Sequence, residues 1–188
     1  MVNTPDVPSD DDGLPRWFTT LRSGVDVITG ALNVVGTLLI IVIMLLVNSD
    51  VIGRGAFNAP VSGVPEMVSM SIVAIVFLQI AQTFRKGRLT RSEAILTFVG
   101  ARAPKLRDLT EVVFAAAAAA LIWIIFWASL PLFRKAWVRN TFEGTVGDFT
   151  APIWPVKLVI LIGCAALFVQ IILYGLAALL RLIGRGRS

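Results

Sequence analysis

Histidine is absent from this chain of 188 residues, and cysteine and tyrosine occur once each. Without histidine, bis-histidine haem ligation, histidine-ligated zinc and imidazole acid–base chemistry are excluded within the chain. The lone Cys164 cannot form an intrachain disulfide and, in the middle of an apolar run, reads as a small apolar residue. Charge is scarce too. Charged residues make up 15% of the chain, where an ordinary soluble domain carries about 25%. No glycine-rich phosphate loop, Cys-x-x-Cys pair or Gly-x-Ser-x-Gly occurs, so the common signatures of nucleotide, redox and serine-hydrolase sites are missing. The sequence offers no enzyme, and nothing in it calls for a cofactor or a metal.

What is present is apolar and blocked into runs. Hydrophobic residues make up 56% of the chain, and mean hydropathy is +0.82. A hydrocarbon core of about 30 Å needs roughly 20 helical residues at about 1.5 Å each. Four stretches, Val27 to Val47, Met67 to Phe84, Val112 to Phe133 and Leu158 to Leu180, contain no Asp, Glu, Lys or Arg. Pro65 suits the first position of the second helix, with Glu66 favoured by that helix's positive end. The fold class is therefore all-α and integral to the membrane. It has four transmembrane helices, with spans of about 27–47, 65–84, 112–133 and 158–180, plus short interfacial amphipathic helices.

The net charge of +5 does not point to nucleic acid, because the basic residues flank apolar spans instead of forming a basic domain. They report topology. Twelve of the 17 basic residues fall in the N-terminal segment, the loop after span two and the C-terminal tail. Both termini and that middle loop are expected on the cytoplasmic side, as a multi-pass protein of the bacterial inner membrane. Residues 1–13, with four aspartates, are expected to be disordered. They lack the basic start and apolar centre of a signal peptide, so span one is expected to remain as an anchor.

Two interfacial helices are expected. Leu14, Trp17, Phe18 and Leu21 share one helical face, which places Trp17 and Phe18 as interfacial anchors. Thr90-x-x-Glu93 has capping-box spacing and predicts a second such helix over 91–101. Arg85 to Arg91 suit anionic lipid headgroups. The six alanines Ala115 to Ala120 let a neighbouring helix come close.

Ionisable residues within membrane spans are the usual mark of an ion or proton route, and all four spans lack them. Asn33, Gln79, Gln82 and Gln170 are the polar side chains at depth besides Ser and Thr, and interhelical hydrogen bonds are their expected use. Asp50 and Glu66 sit beside Arg54, which suggests ion pairing more than catalysis. A four-span protein with no polar pathway of its own calls for a larger partner.

The loop motifs then resemble a known family. Asp50-Val-Ile-Gly-Arg54, followed by Phe57-Asn58-Ala59-Pro60 and Glu66, is similar to the span-one exit and span-two entry of the small membrane subunits of tripartite ATP-independent periplasmic (TRAP) transporters. Phe77 to Ala81 with Arg85-Lys-Gly87-Arg88 resembles the family's span-two exit. Ala151-Pro152-Ile-Trp154-Pro155-Val-Lys157, with Gly163 and Gln170, resembles its span-four entry. The resemblance covers about residues 25 to 180. It departs where many members carry Gly-His and an Asp, and this chain reads Gly87-Arg88 and Ser92-Glu93, so Arg88 must make any contact there differently.

The resemblance implies a scaffold subunit that braces a large membrane subunit during secondary-active, sodium-coupled symport of an organic acid. Its partners would be that large subunit, a transient periplasmic solute-binding protein and membrane lipids. Arg54, Pro60, Glu66, Arg88, Pro152, Trp154 and Lys157 are the expected structural or docking residues. Arg54 and Glu66 would pair or dock, and Pro152, Trp154 and Lys157 would fix the start of span four. Substrate-binding residues are not expected here. An accessory or assembly subunit of another complex, or a self-contained oligomeric transporter, would share the same composition.

Overall fold

The computed structural model describes residues 16–86, 104–144 and 149–184. Four helices dominate: α1 (Arg16–Phe57), α2 (Val64–Arg85), α3 (Pro104–Arg139) and α4 (Trp154–Gly184). All four are long and apolar enough to cross a membrane. Between α3 and α4, β1 (Phe142–Glu143) pairs antiparallel with β2 (Ala151–Pro152), so that Phe142 faces Pro152. One end of the assembly carries the start of α1 and the end of α4, and is called here the termini side. The other, the hairpin side, carries the α1–α2 loop and the β ribbon.

The helices pack in the order α1–α2–α4–α3, not in chain order. α4 packs broadly against both α2 and α3, α1 packs along α2, and α1 meets α4 over a short stretch. The result is a row whose central pair, α2 and α4, run parallel. Small residues set this order. A Cβ added at Gly163 of α4 would stand 2.3 Å from the Phe77 carbonyl oxygen of α2, so those backbones touch only because Gly163 has no side chain. One turn further on, Ala81 joins Leu167, Ile171, Ala115 and Ala119 in the main core cluster. Of the alanine run, Ala115 and Ala119 are buried in this cluster, at the spacing of one helical face, while Ala116, Ala117 and Ala120 stay exposed.

α1 departs from expectation at its start. In place of the separate interfacial helix expected around Leu14 to Arg22, the residues from Arg16 on are the first turns of one continuous 42-residue helix. Gly24 alone does not break it, since a glycine inside a helix costs only about 1 kcal/mol. Phe18 is not a lipid anchor. It is fully buried and packs against Leu173 and Ala177 of α4, where burial of its ring outweighs exposure at the interface. Trp17 belongs to α1, but its side chain lies outside the described residues, as do Arg88, the expected helix over 91–101 and the expected disordered segment 1–13.

Helix ends follow local chemistry. α2 starts after Gly63, whose φ of 78° suits glycine, with proline in its first turn. α3 stops at Asn140, which takes φ 45°, the left-handed conformation that closes many helices. Gly163→Ala should lower the thermal midpoint in detergent through overpacking of about 1–3 kcal/mol. Gly24→Ala, which meets nothing within 4 Å, should leave the midpoint unchanged or raise it. Equal melting of Gly163→Ala and wild type would show that the Gly163–Phe77 contact does not set the row.

Candidate functional site

Two polar clusters stand at the two ends of α1's apolar stretch. Asp26 and Asp50 are 24 residues apart, or about 36 Å along a helix, slightly more than a hydrocarbon core.

On the termini side, Asp26 Oδ1 accepts from Arg85 Nε of α2 at 2.9 Å and from Gln170 Nε2 of α4 at 3.0 Å. Gln170 Nε2 also reaches Thr29 Oγ1 at 3.3 Å. Thr29 is fully buried. Its single hydroxyl proton faces the carbonyls of Val25 (3.1 Å) and Asp26 (3.2 Å) and Gln82 Oε1 at 3.4 Å. Gln82 Oε1 in turn accepts from Arg85 Nη1 at 3.5 Å. Three helices are thus joined by one knot with no net charge. Gln82 and Gln170 have the interhelical role expected of them. Partial burial strengthens such a cluster only because its polar atoms are paired.

On the hairpin side, Arg54 pairs with Asp50 and not with Glu66. Arg54 Nε donates to Asp50 Oδ2 at 2.9 Å, one helical turn away. Asp50 is buried, and its Oδ1 accepts the Val61 backbone N–H at 2.9 Å. Ala59 N–H bonds the Gly53 carbonyl at 3.0 Å, and Gly53 permits that approach because a Cβ there would stand 2.6 Å from the Ala59 oxygen. The α1–α2 loop is therefore folded back on α1 through Asp50 and Gly53. Pro60 is exposed on this loop, while Glu66 is half-buried in the first turn of α2. The i, i+4 geometry of a carboxylate and a guanidinium favours the Asp50 pair over a partner across the loop.

The β ribbon completes this surface. Phe149 lies over Gly63, where any side chain would collide with its ring. Trp154 meets Trp137 of α3 edge-on at 4.8 Å, and Lys157 Nζ donates to the Leu132 carbonyl at 3.4 Å. Pro152 lies in β2 opposite Phe142. Trp154 and Lys157 thus lie against the end of α3 and Pro152 against β1, some way from Arg54 in sequence but on the same side of the row.

The sequence reading missed the Asp26–Arg85–Gln170 knot. Besides the polar Gln82 and Gln170 at depth, its sequence signal is that Asp26 and Arg85 each border the termini-side end of an apolar span. Among the described residues, no group of three or more His, Cys, Asp or Glu side chains could hold a metal ion. Between α3 and α4 an apolar groove of about 260 Å³ is lined by Val112, Ala115, Ala116, Ala119, Ile172 and Gly175, among others. Broad apolar faces of α1 and α3 are exposed, including Leu38, Val42, Met44, Trp123, Ile124 and Trp127.

Asp50→Ala should remove hydrogen-exchange protection from the Val61 amide, whereas Arg54→Ala should retain it; protection in both would show that the loop is held by other contacts. A double-mutant cycle of Asp26→Asn with Arg85→Gln in detergent should show a coupling of about 1 kcal/mol. Strict additivity would mean that the pair contributes nothing to assembly of the row.

A family model described as tripartite ATP-independent periplasmic transporters, DctQ component, matches residues 43–183. Searches of curated proteins and of solved structures gave no match.

Proposed function

This chain belongs to the DctQ component family of tripartite ATP-independent periplasmic transporters, and from that premise we propose that it is the fixed scaffold beside a large membrane subunit. The observation that carries the reading is the family match over 43–183, which takes in about the last third of α1, all of α2 and α3, and all but the final residue of α4. Tight internal pinning supports it. The termini-side knot joins α1, α2 and α4, and at the other end the Asp50 latch holds the loop that leads from α1 into α2. A brace must keep its shape while its partner moves, and such fixed contacts suit that task better than a hinge. The exposed apolar faces of α1 and α3 offer area for a membrane partner as well as for lipid.

In this reading the chain lies in the bacterial inner membrane with both termini cytoplasmic. The hairpin side, with Arg54, Pro60 and Glu66 on one loop and Pro152, Trp154 and Lys157 by the ribbon, faces the periplasm and meets the solute-binding protein transiently. Trp154 sits at headgroup depth, and the large subunit carries the solute and the coupling ion. Organic acid uptake driven by sodium is the transport that this arrangement serves.

Affinity purification of the tagged chain in mild detergent should yield a stoichiometric membrane partner with many spans. A chain that purifies alone or only with itself would sink the scaffold reading. Arg54 is more than half exposed beside its Asp50 partner, so Arg54→Ala should lower solute uptake several-fold while both membrane subunits still copurify. Loss of the complex in that variant would make Arg54 structural instead of a docking residue.

A further inference from the structure

The polar stripe that begins in the termini-side knot does not end there. Thr29, Asn33 and Thr37 follow one another at intervals of four along α1, so they share a face. At Thr29 the stripe is covered by Gln82 and Gln170. Beyond it the cover thins, since among the described residues no side-chain bond joins α1 to α4 past Thr29.

Thr37 is exposed, and its hydroxyl donates to the Asn33 carbonyl at 2.9 Å. Gln79 of α2 lies across Gly36, where a Cβ would stand 2.9 Å from its Cγ, and its Nε2 reaches Thr37 Oγ1 at 3.5 Å. That distance is at the edge of a hydrogen bond. Among the described residues the side-chain amide of Asn33 makes no hydrogen bond and the side-chain Oε1 of Gln79 accepts none, while the Gln79 backbone carbonyl is taken by the Thr83 hydroxyl at 2.9 Å. Both residues are partly exposed. They stand within the uncharged run Val27 to Val47, with Asn33 and Thr37 about 10–16 Å along α1 from Asp26. Hydrocarbon chains offer no donor or acceptor, so amides left open at this depth call for a polar partner. The opposite side of α1, with Val35 and Val42, is exposed and wholly apolar, as a lipid-facing surface is.

We propose that the face of α1 and α2 carrying Asn33, Thr37 and Gln79 receives a transmembrane helix of the large membrane subunit, and that this helix presents a hydrogen-bonding side chain to them. The proposal rests on the scaffold reading and deepens it by choosing which side of the row is the protein interface. Asn33 and Gln79 act as the polar glue of that interface, and the exposed Met44, two turns beyond Thr37 on the same face, packs beside the incoming helix.

The test uses the full chain coexpressed with the large subunit. A photoreactive residue is placed at position 44 or, directly across the helix, at position 35. Crosslinking to the large subunit from position 44 and not from 35 is expected. The pair Asn33→Leu with Gln79→Leu should reduce recovery of the large subunit about fivefold or more. The same pair should leave the melting of the isolated chain unchanged or raised, because it removes amides from an apolar surroundings without touching the knot. Crosslinks from position 35 instead, crosslinks from 44 only to lipid or to a second copy of this chain, or full recovery of the large subunit by the double variant would each overturn the proposal. Absence of any large subunit with the wild-type chain would overturn the scaffold reading itself, and so separates the two failures.

Discussion

The arrangement of this protein depends on how closely α4 can approach α2. In hydrocarbon, apolar side chains gain nothing by leaving lipid for protein, so helices associate through close packing and a few polar bonds. Gly163 supplies the closeness, with the Phe77 carbonyl against its bare α-carbon. Gln170, two turns along α4, then reaches Asp26 and Thr29 on α1 while Arg85 of α2 closes the same knot. A side chain at Gly163 would widen the α2–α4 spacing and draw Gln170 away from α1. Packing and hydrogen bonding are therefore one device here, and the core of Ala81, Leu167 and Ile171 fills the space between them.

The proposed scaffold role suits the same device. At one end α1, α2 and α4 share the Asp26–Arg85–Gln170 knot, and at the other Asp50 holds the loop that leads from α1 into α2. Such a row can carry load along its sides. Its exposed faces are mostly apolar, and the amides of Asn33 and Gln79 mark one side as unlike the rest.

Length and charge patterning make the four helices readable in the sequence, because a run of about 20 uncharged apolar residues has few other uses. The i, i+4 relation of Asp50 and Arg54 was within reach for the same kind of reason, being local. Phe18 was misread because a helical face rich in Leu, Trp and Phe looks alike whether it meets lipid or another helix. Only the extension of α4 to Leu173 and Ala177 decides between them. The Asp26–Arg85–Gln170 knot joins residues up to 144 positions apart, and nothing short of the helix order α1–α2–α4–α3 reveals it. That order in turn hangs on one glycine, which composition does not distinguish from the other fourteen.

The helix order also bears on how the chain is made. Spans enter the bilayer in the order of synthesis, yet α3 packs on α4 and little else, and α2 has its second neighbour in α4. α1 and α2 have in each other a neighbour made before α4, with Asp26 and Arg85 to pair, whereas α3 has its packing face only on α4. α4 is therefore the wedge of the row: it lies between α2 and α3, and the same helix supplies Gln170 to the knot and Leu167 and Ile171 to the core.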